Sequence, residues 1–329
     1  MLSPLAGLLA NVHVVALPLR IRFRGILIRE AALFQGPHGW GEFAPFVEYG
    51  PEESSHWLAS AIESAYAAWP AARRDAIAVN ATVPAVGPEK VPAVLQRFPG
   101  SLTAKVKVAE SGQSLADDLD RVAAVRATLG PAGRIRVDAN GGWTVDQALD
   151  AIQRLAAFDL EYVEQPCRTV EELAELRTTL ARNGIDVLIA ADESIRKADD
   201  PLRVRDLHAA DLIVVKVAPL GGVHRALDIV DATGLPAVVS SALDTSVGIA
   251  AGVALAAALP TLDHACGLGT VSLFEGDIAN PPKMARNSIL TPGRVTADPA
   301  LLQQYAADPD RQIWWRDRIA AAYGHLAAR

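Results

Sequence analysis

The chain has 329 residues, 50% of them hydrophobic and 21% charged, so it can bury a large core in one or two domains. Its formal net charge of −7 argues against nucleic acid as a partner and gives no reason to expect an anionic membrane as one. Two cysteines, Cys167 and Cys266, are too few for a disulfide framework or a zinc cluster, and they fit a reducing compartment. We therefore expect a cytoplasmic protein.

The first part of the chain, residues 1–75, predicts an α+β domain. Its apolar start, "MLSPLAGLLANVHVVALPLR", lacks the basic region of a signal peptide and is interpreted as a first strand. Further antiparallel strands with Gly/Pro turns follow, as far as "GWGEFAPF". The segment "PEESSHWLASAIESAYAAW" then predicts a helix that opens with acidic and serine residues.

From residue 76 to 295, short apolar strands alternate with amphipathic helices. The predicted strands are "IAVNATV", "TAKVKVA", "RIRVDAN", "LEYVEQP", "DVLIAADES", "DLIVVKV", "PAVVSS" and "HACGLG". Reference residues near the strand ends recur every 24 to 31 residues, about the length of one βα unit. The fold class is therefore α/β, and eight strands at this spacing favour a (β/α) barrel over an open sheet.

Two helices of the barrel region and the end of the chain complete the organisation. Thr144 is predicted to be the N-cap of the helix in "TVDQALDAIQRLAAF". The apolar run "VGIAAGVALAAALP" is too short to span a bilayer and predicts a buried helix. Residues 296–329 predict a helical tail that packs on the N-terminal domain or on the barrel.

Polar side chains occur where the predicted strands end, and these ends converge on one mouth of a barrel. They are Lys105, Lys107, Asp138, Asn140, Glu164, Asp192, Glu193, Lys216, Ser240 and Ser241. Three consecutive units each bring one carboxylate to the mouth, through Asp138, Glu164 and Asp192. Three oxygen ligands without histidine or cysteine suit one Mg²⁺ ion. Without a cation, at least one of these carboxylates would stay protonated.

Lysine is scarce in this chain, since only six of its 31 basic residues are lysines. Lys107 on the second strand and Lys216 on the sixth would face each other across the barrel. Arginine does not deprotonate in proteins, whereas a lysine near a cation has a lowered pKa and can act as a base. The arrangement predicts acid/base catalysis on a substrate held between them. Lys105 is expected to balance the charge of the carboxylates.

Single residues of this set have other readings. An aspartate at a strand end often caps the following helix, and Ser240 and Ser241 fit either substrate hydrogen bonds or a turn. Gly222, in "PLGG", fits either an anion site at a helix N-terminus or a simple turn. The cysteines are interpreted as packing residues. The register of lysines and carboxylates on consecutive units favours catalysis over a non-catalytic barrel that only binds.

The motifs "KVK", "VDAN", "VEQP", "ADES", "VVKVAPLGG" and "SSALDTSVG" resemble, in order and spacing, those of the enolase superfamily and its muconate-lactonising-enzyme-like subgroup. "RFRG" and "GWGEFAPF" resemble the capping domain of the same subgroup. The resemblance implies a capping domain and a (β/α)₇β barrel. It also implies Mg²⁺ ligands at Asp138, Glu164 and Asp192, lysines at 107 and 216 that face the substrate α-carbon, and a supporting lysine at 105.

Within the subgroup, the resemblance implies Mg²⁺-dependent syn-dehydration of a succinyl-hydroxycyclohexadiene carboxylate to o-succinylbenzoate in menaquinone biosynthesis. The reaction would pass through α-proton abstraction and an enediolate. Lys107 would be base and acid, Lys216 would stay charged, and the two serines would bind the succinyl carboxylate. Racemisation or epimerisation of an N-acylamino acid is the main alternative, and muconate cycloisomerisation is a third. Dipeptide epimerisation is disfavoured because "HACGLGT" lacks an Asp-x-Asp pattern.

Overall fold

The computed structural model describes residues 4–196 and 201–328. Its strands are β1 (His13–Phe23), β2 (Ile26–Gly36), β3 (Gly39–Phe43), β4 (Ile77–Ala78), β5 (Ala81–Val83), β6 (Thr103–Lys107), β7 (Arg134–Asp138), β8 (Leu160–Glu164), β9 (Ile189–Ala191), β10 (Leu212–Val215), β11 (Ala237–Val239) and β12 (Ile289–Leu290). Its α-helices are α1 (Leu5–Ala10), α2 (Pro51–Tyr66), α3 (Val91–Leu95), α4 (Leu115–Leu129), α5 (Val145–Leu155), α6 (Val170–Arg182), α7 (Glu193–Arg196), α8 (Arg203–Asp206), α9 (Val217–Leu220), α10 (Val223–Thr233), α11 (Ser246–Ala258), α12 (Pro299–Gln304) and α13 (Pro309–Ala327).

The N-terminal part is an antiparallel sheet in the order β1-β2-β3, with α2 packed against it. The predicted helix of this region is confirmed as α2. The reading of the chain start as a single strand is wrong in part, because the short helix α1 precedes β1, which begins at His13. The segment "LAGLLA" contains only leucine, alanine and glycine, and leucine and alanine are strong helix formers.

The larger part is a parallel sheet in the order β5-β6-β7-β8-β9-β10-β11 with helices between its strands, which confirms the α/β barrel architecture. The predicted eighth strand forms only isolated bridges, from Cys266 to Val79 and from Gly267 to Ser240. These bridges join the two edges of the sheet and close the ring. A Cβ atom at Gly267 would lie 2.5 Å from the Ser240 hydroxyl, so glycine permits the close approach of the two segments.

Two helix predictions from the barrel region are confirmed. The Thr144 hydroxyl accepts a hydrogen bond from the Gln147 N–H at the start of α5, and the Gln147 side chain bonds back to the Thr144 N–H. Helix α11 is buried along nearly its whole length, as its apolar sequence predicts. Among the described residues, no helix is both long enough and apolar enough to cross a lipid bilayer.

The C-terminal region returns to the N-terminal sheet. Helix α13 packs on α2 and β1. Just before it, Ala307 donates a backbone hydrogen bond to Val14 of β1, and Ala16 donates one to Tyr305. The predicted domain boundaries at residues 75 and 295 stay a prediction.

Candidate active site

The three predicted carboxylates lie side by side at the C-terminal ends of adjacent strands. Asp138 ends β7, Glu164 ends β8, and Asp192 follows β9. Parallel register places Asp138 opposite both Lys107 and Glu164. All three carboxylate residues are at most 1% exposed. Buried carboxylates need cationic or hydrogen-bonding partners, and the neighbouring lysines supply them.

Two lysines of β6 contact these carboxylates from the inner face of the barrel. The Lys105 Nζ lies 3.1 Å from Oδ2 of Asp138 and 2.9 Å from Oε1 of Glu164. The Lys107 Nζ donates to Oδ2 of Asp138 at 2.5 Å and to Oδ1 of Asn140 at 2.6 Å. The structure therefore brings both lysines of "KVK" to the same carboxylate.

The third lysine, Lys216, follows β10 and donates a hydrogen bond to Asp192. Arg196, one helical turn beyond Asp192, donates to the other oxygen of that carboxylate at 3.1 Å. Arg196 also donates to Glu193 at 2.6 Å, and Glu193 accepts from Asn140 at 3.3 Å. The predicted residues Asn140 and Glu193 thus connect the two halves of the cluster.

Burial and neighbouring charges act on the pKa values of these groups in opposite directions. Burial opposes the charge of Lys105, but Glu164 and Asp138 outweigh it and hold the Lys105 pKa well above its usual value. At Lys107, burial together with the charge of Lys105 lowers the pKa despite the nearby Asp138. At Glu164, burial followed by the charge of Asp138 raises the pKa to about 7.

Each of the three carboxylates is in contact with a lysine ammonium group. Within residues 4–196 and 201–328, no three or more Asp, Glu, His and Cys side chains converge as ligands of a metal ion. One observation nevertheless fits a cation: Oε2 of Glu164 is buried and has no hydrogen-bond partner among the described residues. The chemistry of the donor set, three carboxylates, also suits a hard divalent cation.

A cavity opens above this cluster, between the barrel and the N-terminal domain. The barrel residues that line it include Lys105, Lys107, Asn140, Lys216, Ser240, Ser241 and Thr270. Phe23, Arg24 and Phe46 of the N-terminal domain line the other side. Both predicted serines therefore lie at the cavity wall. There the Ser241 hydroxyl shares a 2.7 Å hydrogen bond with the Thr270 hydroxyl.

Gly222 is placed differently from the other predicted site residues. It does not line this cavity but lies at the start of α10. There the Glu63 carboxylate accepts hydrogen bonds from the N–H groups of Val223 and His224. The anion at this helix N-terminus is therefore a side chain of α2, which explains the "PLGG" turn without a substrate.

Sequence reasoning missed Arg196. It singled out "RFRG" and "GWGEFAPF", which contain Phe23, Arg24 and Phe46, but gave these single residues no role. Arg196 could have been found, because a basic residue four positions after Asp192 faces it on a helix. Phe46 and Arg24 carry no periodic signal, since they lie outside regular elements of the structure. Burial raises the pKa of the Cys167 and Cys266 thiols to about 12, in keeping with packing residues.

The fold and site define a class of protein, and comparison with known families agrees. Residues 96–295 match the family described as enolase C-terminal domain-like, and residues 14–65 match the family described as enolase N-terminal domain-like. The chain belongs to the enolase superfamily. Members of this superfamily generally use Mg²⁺.

Its relatives include enzymes named o-succinylbenzoate synthase. The enzyme of Mycobacterium tuberculosis is 58% identical over 326 residues, which cover 99% of this chain and 97% of the relative. The enzyme of Mycobacterium marinum is 59% identical over 328 residues, or 99% and 98% of the two chains. The muconate lactonizing enzyme of Pseudomonas fluorescens, solved with muconolactone, has a TM-score of 0.76 at 20% identity and covers 90% of this chain and 98% of its own. That last likeness concerns the fold alone.

Proposed function

We propose that this chain is an o-succinylbenzoate synthase, a hydro-lyase of menaquinone biosynthesis. Its substrate is a small-molecule carboxylate, a succinyl-hydroxycyclohexadiene carboxylate, which loses water to become aromatic. The observation that carries the proposal is a cavity lined by Lys107 and Lys216, each in contact with a buried carboxylate, in a chain 58% identical to enzymes of that name. The cytoplasmic location stays a prediction.

Lys107 is the proposed base and acid. Its pKa is lowered by burial and by Lys105, so a neutral amine is more accessible here than in water. The amine takes the α-proton, and the C–H electron pair moves toward the substrate carboxylate. That electron pair then returns to form the new C=C bond as the C–O bond breaks, and the same ammonium gives its proton to the departing hydroxyl group, which leaves as water on the same face. One side chain thus serves both proton transfers of a syn elimination.

Lys216 is proposed to act as a fixed positive charge. Three strands, β7, β8 and β9, separate its strand from that of Lys107 in the sheet. Its ammonium group contacts Asp192 and reaches the cavity from that side. A cation there stabilises the negative charge that develops as the α-proton leaves, by direct attraction and by contact with the face of the substrate ring.

Asp138, Glu164 and Asp192 are the proposed ligands of one Mg²⁺ ion. Among the described residues, Oε2 of Glu164 has no hydrogen-bond partner and can accept a cation, whereas the ammonium groups of Lys105 and Lys107 would have to move away from Asp138. When bound, Mg²⁺ would place positive charge beside the substrate carboxylate, and this charge would lower the pKa of the α-proton. Lys105 would then balance the negative charge of the carboxylates that the cation leaves uncompensated. Asn140 would hold Lys107 in place, and Glu193 would hold Arg196.

Ser240 and Ser241 are proposed to bind the succinyl carboxylate of the substrate. Both line the cavity, and both follow β11 next to the segment that closes the barrel. The Ser241 hydroxyl also shares a hydrogen bond with the Thr270 hydroxyl, in which either group can be the donor. Hydroxyl donors at this wall would orient the substrate so that its α-proton faces Lys107.

The test is to incubate the purified protein with Mg²⁺ and the cyclohexadiene substrate and to measure o-succinylbenzoate. We expect product, loss of turnover on treatment with EDTA, and recovery when Mg²⁺ is added back. Absence of product with folded, Mg²⁺-supplied protein would contradict the synthase proposal. Indifference to EDTA would contradict the metal proposal.

Racemisation of an N-acylamino acid is the second candidate, because lysines on two separated strands also fit proton transfer to either face of one carbon. The parallel experiment uses N-succinyl amino acids in D₂O. Exchange of the α-proton for deuterium without any dehydration of the cyclohexadiene would favour this candidate over the first.

A further inference from the structure

The segment between β3 and α2, residues 44–50, is here called the cap loop. It contains no helix or strand, yet it reaches the cavity. The ring of Phe46 lines that cavity together with Lys105 and Lys107. Something other than regular secondary structure must therefore hold this loop in place.

The side chain of Arg318, on α13, binds the backbone of the cap loop. Its guanidinium group donates to the carbonyl oxygens of Pro45 at 3.1 Å, Phe46 at 2.5 Å and Tyr49 at 2.9 Å. A further contact reaches the hydroxyl of Ser54 at 3.3 Å. Arg318 is only 8% exposed, so these bonds form away from water, where a lost partner leaves carbonyl groups unsatisfied.

Arginine is suited to this position because its planar fork presents several donors at once. The guanidinium carbon also lies 5.0 Å from the ring centre of Trp314 and 5.2 Å from that of Trp315. These aromatic contacts fix the side chain on the surface of its own helix. The helix therefore presents a fixed set of donors to the loop.

The far end of the cap loop touches the carboxylate cluster. The Tyr49 hydroxyl accepts a hydrogen bond from Arg196 at 3.2 Å. Arg196 in turn donates to Asp192 and Glu193. A continuous series of hydrogen bonds thus runs from α13 through the cap loop to a proposed metal ligand.

The ring of Phe46 is held between two further arginines. Arg24 lies 4.1 Å and Arg29 4.4 Å from the ring centre. Arg29 also donates to the carbonyl of Ala44, at the start of the cap loop. Arg24 and Arg29 belong to the N-terminal domain, whereas Arg318 comes from the C-terminal helix α13.

We propose that Arg318 is a positioning residue for substrate binding, an inference that rests on the proposed function. It acts by fixing the backbone of the cap loop, so that Phe46 closes one wall of the cavity and Tyr49 meets Arg196. Helix α13 lies outside the barrel and contributes no cavity-lining residue of its own. Its effect on the reaction passes through the loop.

The test compares Arg318→Met with Arg316→Met. Arg316 lies on the same helix and also donates to backbone carbonyls, but to those of Leu9 and Val12, away from the cap loop. In protein without substrate, we expect hydrogen exchange of the peptide spanning residues 44–50 to be faster in Arg318→Met and unchanged in Arg316→Met. In steady-state assays, KM should rise roughly tenfold for Arg318→Met, with a smaller change in kcat.

Unchanged exchange in the cap loop, or equal changes in KM for the two variants, would overturn the proposal. If Arg318→Met does not fold, Arg318→Lys and Arg316→Lys replace the pair. Lysine keeps the charge, but its single Nζ cannot replace the planar fork, so faster exchange is again expected only at position 318. Because the exchange experiment needs no substrate, it tests Arg318 even if the proposed reaction proves wrong.

Discussion

Lys105 forms a 2.9 Å ion pair with Glu164 although β7 lies between their strands. The lysine side chain therefore passes across the barrel interior and on its way also contacts Asp138 of the intervening strand. One ammonium group thus forms ion pairs with two buried carboxylates on successive strands.

Replacing Lys105 with methionine should destabilise the fold. It would leave two buried carboxylates without their shared partner, and the free energy of unfolding should fall by about 3–5 kcal/mol. Denaturation in urea without Mg²⁺ measures the change. The double variant Lys105→Met/Glu164→Gln removes one of the stranded charges and should recover part of the loss. A double variant no more stable than Lys105→Met would argue against this origin.

Replacing Lys107 with alanine should abolish turnover while Mg²⁺ still binds. Loss of a general acid/base group lowers the rate by about 10²–10⁴-fold, and here one residue serves both steps. Turnover is measured as o-succinylbenzoate formed, and Mg²⁺ binding by calorimetry. Lys90→Ala, at an exposed position, is the control and should keep full activity. Substantial turnover in Lys107→Ala would mean that another group is the base.

Replacing Glu42 with glutamine should reduce the pH dependence of stability. Burial, followed by the charge of Asp244, raises the pKa of Glu42 to about 8. The folded state thus keeps a proton that the unfolded state loses near pH 4.5, so the free energy of unfolding falls as pH rises between these values. The contribution of this group is at most about 1.4 kcal/mol per pH unit.

Urea denaturation across that range measures the slope in the wild type and in Glu42→Gln. The substituted protein should show the smaller decline. Glu110→Gln changes an exposed carboxylate and should leave the slope as it is. Parallel curves for wild type and Glu42→Gln would contradict the raised pKa.

Two arginines that contact the same carboxylate, Glu161, should differ sharply in their contribution to stability. Arg136 is fully buried and also donates to the Tyr162 hydroxyl and to the carbonyl of Ala265, in the segment that closes the barrel. Arg134 is exposed, and its guanidinium group makes a longer contact of 3.5 Å with the Glu161 carboxylate. Arg136→Met should lower the free energy of unfolding by about 3–5 kcal/mol, because it removes the buried partner of Glu161 and leaves the Tyr162 hydroxyl and the Ala265 carbonyl without this donor.

Arg134→Met should change the free energy of unfolding by no more than about 0.5 kcal/mol, since exposed ion pairs contribute little. Thermal and urea denaturation of both variants provide the comparison. Equal losses would mean that burial does not govern these two ion pairs.

The sequence predicted the barrel and its lysine and carboxylate positions because both depend on local spacing. A strand end every βα unit puts Lys107, Asp138 and Glu164 on one rim, whatever the details of helix packing. The closing segment at Cys266 and Gly267 was predicted to be a full strand because its sequence, "HACGLG", is largely apolar. The structure has only two isolated bridges in this described segment, because Gly269 leads directly into the short 3₁₀ helix at Thr270–Leu273 and leaves no room for a longer strand.

The contacts of Arg318 and Phe46 were beyond sequence reasoning for a different reason. They join segments more than 250 residues apart, and no periodic pattern marks either partner. Glu42 is a similar case, since it accepts a hydrogen bond at 2.9 Å from the N–H of Gly248, 206 residues further along the chain. Such pairs depend on how distant segments of the chain pack together, which single-sequence patterns do not describe.

The pairing of β1 with the segment before α13 has a consequence for synthesis on the ribosome. β1 begins at residue 13, while Tyr305 and Ala307, which bond to its outer edge, are translated after the whole barrel. A nascent chain therefore carries an uncovered sheet edge for most of its elongation, and such edges invite wrong pairing. Chaperone engagement with the nascent chain should persist until this segment leaves the exit tunnel.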